Sequence, residues 1–111
     1  MLNKFDLVKL LSISGHYRGF SYLLDCVNLA VEDEDLLHPI AQKLYPLVAK
    51  RHKTTVAHVS SAIRGLVRVW WKRGNRAFAP AYLAPDATAP GNKAFIHALV
   101  AHVQRSAQSG K

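Results

Sequence analysis

Leu44 to Asn75 reads LYPLVAKRHKTTVAHVSSAIRGLVRVWWKRGN, and the fold turns on how this stretch is divided. Tyr45 to Lys53 has the pattern of a short helix that ends in a basic cluster. Thr54 and Thr55 then offer a hydroxyl N-cap, because a Thr oxygen accepts a hydrogen bond from the free amides of the next helical turn. A second helix is expected from about Val56 to Lys72, with Gly74 and Asn75 where a C-terminal stop belongs. Helix, tight turn and a second helix with a basic outer face is the layout of a helix-turn-helix. Ala49 suits the small position across which the second helix packs, and Val59 suits the apolar position facing it.

At the helical period, Val56, Val59, Ile63, Leu66, Val67 and Trp70 fall on one face of the second helix. The opposite face carries Ala57, His58, Ser61, Arg64, Gly65, Arg68 and Lys72, in which Ser61, Arg64, Arg68 and Lys72 make a row at intervals of three or four. An amphipathic core helix with a solvated basic face would show the same pattern. Such a helix usually mixes signs, since opposite charges at i,i+4 support it. Here no Asp or Glu occurs from Leu36 to Ala79.

The whole chain shows the same bias. Its 111 residues carry a formal net charge of +8. Residues 1–35 hold three Lys or Arg and six acids, net −3, whereas residues 36–111 hold twelve Lys or Arg and one acid, Asp86, net +11. A one-sided field of this kind attracts polyanions, nucleic acid first and an anionic membrane surface second. Surface binding to a membrane needs a bulky apolar helix face left free, and these faces look consumed by mutual packing. The length suits one domain over residues 1–111, with a core over about 12–105. The lone Cys26 has no internal disulfide partner, and no apolar run is long enough to cross a membrane; a cytoplasmic protein with a reduced thiol is expected.

Elsewhere the reading is all-α, a bundle of about six helices, with no useful strand alternation. Lys4 to Leu11 is a first helix capped by Asn3, with Phe5, Leu7, Val8 and Leu11 inward. Gly19 to Glu32 is a second, with Phe20, Leu23, Leu24, Val27 and Val31 on one face. The run Glu32-Asp33-Glu34-Asp35 reads as the charged start of a helix over Leu36 to Lys53, where acids meet its positive end. Pro39 belongs near that helix's start and Pro46 at a bend. Ala77 to Gly91, rich in Ala and Pro, reads as a loop. Ala94 to Gln104 is a last helix with Phe95, Leu99, Val100 and Val103 inward, and residues 106–111 are a flexible tail.

With these elements placed, the chain resembles the C-terminal effector domain of the stage zero sporulation response regulator, the master transcription factor of endospore-forming bacteria. The residues that carry the likeness are His16-x-Arg18-Gly19-Phe20 with Tyr22-Leu23, Leu36-Leu37, Lys43-Leu44-Tyr45-Pro46-x-x-Ala49-Lys50, Thr54-Thr55, Val59, Ala62-Ile63-Arg64, Trp71, Arg73-Gly74-Asn75 and Phe95-Ile96. The resemblance implies a bundle of six helices containing a helix-turn-helix, and sequence-specific binding to a promoter box in double-stranded DNA. It also implies contact with RNA polymerase sigma factor through about Arg73 to Ala84; whether two copies pair on tandem boxes is left open by the sequence. Two features depart from the family. Its members typically have Glu then Arg after the Val59 position, both reading the box, where this chain has Ser60 and Ser61. They also carry a phosphorylated receiver domain ahead of this one, so a chain starting at Met1 is expected to be an excised domain or a free-standing protein without its own phospho-switch.

The candidate base contacts are therefore Arg64, Ser60, Ser61 and His58, in or near the N-terminal half of the helix that enters the major groove. For each Ser a solvated helix position is an equally good account. Candidate phosphate contacts are Arg68, Lys72 and Arg73 further along, and Lys50, Arg51, Lys53, Thr54 and Thr55 around the turn, where capping alone is the simpler role for the two Thr. Trp70 belongs to the core, Trp71 is expected to pack, and His52 is expected as a partly buried imidazole. The six His show no i,i+4 pair, Cys26 has no evident base partner, and no Gly-rich phosphate loop is present. No metal, no cofactor and no catalysis are expected. The competing reading is a protein-interaction module for sigma factor or a full-length relative, with weakened or lost DNA sequence readout, and the Ser60–Ser61 pair is the feature favouring it.

Overall fold

A computed structural model of the chain describes residues 2–77, 79, 83 and 89–109, and side chains as far as Ser106. Its elements are α1 (Lys4–Leu11), α2 (Arg18–Glu32), a 3-10 helix (Glu34–Leu37), α3 (Ile40–Arg51), α4 (Val56–Arg73) and α5 (Asn92–Ser109). The described residues thus form five α-helices and one 3-10 turn rather than six helices, and contain no strand. Most of the expected loop over 77–91 lies outside the described residues.

Local chemistry accounts for several boundaries. Asn3 caps α1, its Oδ1 accepting from the Asp6 amide at 2.8 Å. At the other end Ser12 adopts left-handed backbone, φ 53°, and its amide closes on the Val8 carbonyl at 2.8 Å. The acidic run does not begin α3. Asp33 instead caps the 3-10 helix, accepting from the Asp35 amide at 3.1 Å. A cis His38–Pro39 bond then redirects the chain before α3 starts. Pro46 lies inside α3, which continues past it. The missing N–H frees the carbonyl of Gln42, one turn back, and both residues are exposed to water.

α2 is the central element, packed against α1, α3, α4, α5 and the 3-10 helix. It therefore buries more than one stripe: Gly19, Tyr22, Cys26 and Ala30 join Phe20, Leu23 and Val27 inside, while Leu24 and Val31 are half-buried. α1 inserts Leu7 and Leu11, but Phe5 is 68% exposed and is not an inward residue as its hydrophobicity suggested. It lies more than 90° around the helix from the buried pair, and the Lys9 ammonium sits 5.3 Å from its ring centre. α4 contributes Val59, Ile63, Leu66, Val67 and Trp70, as the periodicity predicted, with Val56 half-buried. From α5 come Phe95, Ile96, Ala98, Leu99 and Val100. That helix starts earlier than expected and runs past Gln104 to Ser109, into the segment read as a tail.

Two glycines permit close backbone approach. A Cβ on Gly19 would run into the Ala62 carbonyl of α4. Gly74 ends α4 in extended backbone, φ −84°, so it is not a left-handed cap. Its lack of a side chain is required because a Cβ there would sit 2.6 Å from the Leu11 carbonyl oxygen. The adjoining Asn75 amide donates to that same carbonyl at 2.8 Å, tying the end of α4 to the end of α1.

Candidate nucleic-acid interface

α3 and α4 are joined by four residues, His52 to Thr55. Thr55 is the cap of α4: its Oγ1 accepts from the His58 amide at 3.1 Å. Thr54 is held differently, its amide donating to the Ala49 carbonyl at 2.9 Å. Lys53 turns the chain in left-handed backbone, φ 55°, a conformation costly for any residue with a Cβ. The turn is fastened to α2 by a contact that local sequence did not suggest. Asp25 Oδ2 lies 2.6 Å from His52 Nε2, and Asp25 Oδ1 lies 3.5 Å from Arg51 Nη1. The Tyr22 ring stands edge-on to His52 at 4.9 Å and to His58 at 5.7 Å. The sequence signal is weak, because Tyr22 and Asp25, three residues apart, are two of several polar groups on a mostly apolar helix.

On α4 the structure separates the candidate residues by position. Ser61, Arg64, Arg68 and Lys72 are exposed, together with Ala57 and Gly65, and make one outward ridge. Among the described residues no carboxylate pairs with the cations of that ridge. His58 and Ser60 lie to either side and are half-buried, His58 against Tyr22 and Ser60 beside the start of α5, where its carbonyl accepts from Asn92 Nδ2 at 2.8 Å. Lys50, Arg51, Lys53 and Thr55 are exposed around the turn, Thr54 is half-buried, and Arg73 is exposed at the far end of α4. Arg51 is shared with Asp25, with its side chain still 58% exposed.

The tryptophans face inward. Trp70 is fully buried, donates from Nε1 to the Asn75 carbonyl at 3.0 Å, and meets the Phe95 ring at 4.7 Å. Trp71 is half-buried under the Arg76 guanidinium, 4.3 Å from its ring centre. Among the described residues there is no group of three or more His, Cys, Asp or Glu placed to hold a metal ion, and no helix long and apolar enough to cross a membrane.

Residues 5–103 match the family described as Sporulation initiation factor Spo0A C terminal. The match takes in α1 to α4 and most of α5, and so covers the turn, the cationic ridge and the helices that hold them in place. With nearly the whole chain inside the match, this protein belongs to the Spo0A C-terminal family of sporulation-related DNA-binding effector domains.

Proposed function

We propose that this chain is a sequence-specific double-stranded DNA-binding transcriptional regulator, in which α3, the turn and α4 act as a helix-turn-helix and α4 enters the major groove. The observation that carries this reading is the exposed ridge of Ser61, Arg64, Arg68 and Lys72 on a helix whose other face is core. Arg64 and Ser61 read base edges, with His58 and Ser60 flanking them. Arg clamps guanine through two hydrogen bonds, worth ~1–3 kcal/mol of discrimination, whereas a Ser hydroxyl bonds many bases weakly. Arg68, Lys72 and Arg73 neutralise phosphates along one strand, and Lys50, Arg51, Lys53, Thr54 and Thr55 grip the backbone at the turn. Residues from about Arg73 to Ala84, of which 78, 80–82 and 84 lie outside the described residues, meet RNA polymerase sigma factor, and two copies associate on tandem boxes.

Duplex affinity measured against salt tests the reading. Each neutralised phosphate steepens the fall of log K with log salt by about 0.9. A flat salt profile, or undiminished binding by Arg64→Ala, would end the proposal. Ser60 and Ser61 favour one other reading, a protein-interaction module without sequence readout. Selection from random duplexes separates the two: an enriched box, sharpened by Ser61→Arg, supports the regulator, and no enrichment supports the module.

A further inference from the structure

Arg51 and His52 stand side by side where α3 ends, and both meet one carboxylate. That carboxylate, Asp25, comes from the middle of α2 and is largely enclosed, its side chain 21% exposed. Its two oxygens are used differently. Oδ2 lies 2.6 Å from His52 Nε2, a short hydrogen bond in which the imidazole donates, since a carboxylate oxygen only accepts. Oδ1 lies 3.5 Å from Arg51 Nη1, well beyond the ~2.7–2.9 Å of a charge-assisted N–H···O bond. Asp25 is therefore committed to His52, and its hold on Arg51 is loose.

The surroundings keep the imidazole in place. The His52 amide donates to the Val48 carbonyl at 3.1 Å, which ties residue 52 to the last turn of α3. Tyr22, buried and three residues before Asp25 on α2, stands edge-on to the ring at 4.9 Å. Arg51 has the opposite setting, a long side chain 58% exposed beside the exposed Lys50. The strong form of an arginine–carboxylate pair is bidentate, two parallel N–H···O bonds that need both oxygens. With Oδ2 taken by His52, that fork has no second oxygen to close on.

We infer that His52 is a positioning residue for DNA binding: by occupying Asp25 it blocks the bidentate Arg51–Asp25 pair and leaves the Arg51 guanidinium turned out for a backbone phosphate. The inference deepens the function proposed above and rests on it. His52 acts through Arg51 and itself meets no DNA. Without its imidazole, Asp25 takes Arg51 in both oxygens, and one positive charge of the turn is withdrawn from the duplex.

His52→Phe keeps an aromatic ring against Tyr22 and removes the donor. Duplex affinity of the full chain should fall, and its log–log dependence on salt should become shallower by about 0.9, the share of one phosphate contact. The discriminating variant is His52→Phe combined with Asp25→Asn. It cannot restore the lost hydrogen bond, so a merely structural role for His52 leaves it as weak as the single variant or weaker. Capture of Arg51 by Asp25 instead predicts that the slope returns to the wild-type value. Repeating the pair in an Arg51→Gln background controls for the loss of a negative charge near the duplex: there Asp25→Asn should leave the slope unchanged. An unchanged slope in His52→Phe, no recovery in the double variant, or the same recovery without Arg51 overturns the inference.

The exchange of partners is also readable without DNA. Rotation about the Arg51 Nε–Cζ bond, followed through the guanidinium nitrogen resonances, should slow in His52→Phe and return to the wild-type rate once Asp25→Asn is added. Equal rates in all three proteins overturn the inference whether or not a duplex binds. If the rates change as expected and no duplex binds, the failure belongs to the function proposed above, and the positioning of Arg51 by His52 is supported.

Discussion

Gly19 and Gly65 are the same residue under opposite constraints. A Cβ on Gly19 would meet the Ala62 carbonyl oxygen, with the carbonyl carbon at 2.7 Å and the Ile63 nitrogen at 3.1 Å. All three are backbone atoms of a packed helix, so neither partner can rotate aside. Gly19→Ala must push α2 off α4, and overpacking of this kind costs ~1–3 kcal/mol. The expected result is a lower urea midpoint at unchanged slope; an unchanged midpoint would show that the two helices are not in such close contact. A Cβ on Gly65 meets nothing within 4 Å, and the residue sits mid-helix on the exposed ridge. Glycine in such a place costs ~0.5–1 kcal/mol relative to alanine. Gly65→Ala should raise the melting temperature, and its effect on binding is then informative. If α4 lies in a DNA groove, the added methyl lowers duplex affinity although the fold is firmer; a firmer fold with undiminished affinity would place Gly65 outside the contact.

At the scale of elements, what was legible in the sequence was whatever short-range chemistry decides. The Asn3 and Thr55 caps and the inward face of α4 follow from neighbours within one or two turns, and all three are present in the structure. The 3-10 helix, the start of α3 after the cis His38–Pro39 bond and the far end of α5 are not marked by apolar periodicity, and neither are the seams between distant segments. One of those seams makes a pH prediction. The rings of His38, just before α3, and His97 in α5 lie 5.3 Å apart, and His97 Nε2 is buried without a partner. Burial, then the charges of His38 and Lys93, lower the His97 pKa below its ordinary value, with Glu34 pulling the other way. The unfolded chain therefore binds more protons than the folded one as pH falls from about 6.5 toward the folded value, so stability is present above that window and is lost going down through it. The melting temperature should drop between pH 7.5 and pH 5.5, and drop less in His97→Gln. Parallel curves for the two proteins would remove His97 from the account.

Across the whole molecule, charge and burial are arranged around α2. Every acid among the described residues lies in residues 6–35, while the cationic ridge is on α4, and Asp25 joins the two regions by holding His52 and Arg51. The ridge was legible because a helical period displays it. The Asp25–His52 pair and the Asn92–Ser60 tie were not, because the partners stand 27 and 32 residues apart. The same hub makes Cys26 a reporter on the entire fold. Its side chain is fully buried, and its thiol pKa is pushed up to about 12, first by burial and then by the neighbouring Asp25 charge. Near neutral pH almost no thiolate exists in the native state, and the thiolate is the form that reacts. Among the described helices α2 packs against each of the others, so exposing Cys26 requires the bundle to open rather than one end to fray. Labelling with a thiol reagent should therefore accelerate with urea in step with global unfolding. Gly19→Ala should raise the rate without denaturant by roughly 5- to 150-fold, the factor that a loss of ~1–3 kcal/mol implies. Fast labelling of the native protein, insensitive to urea and to Gly19→Ala, would mean that α2 can leave the bundle while the rest stays folded.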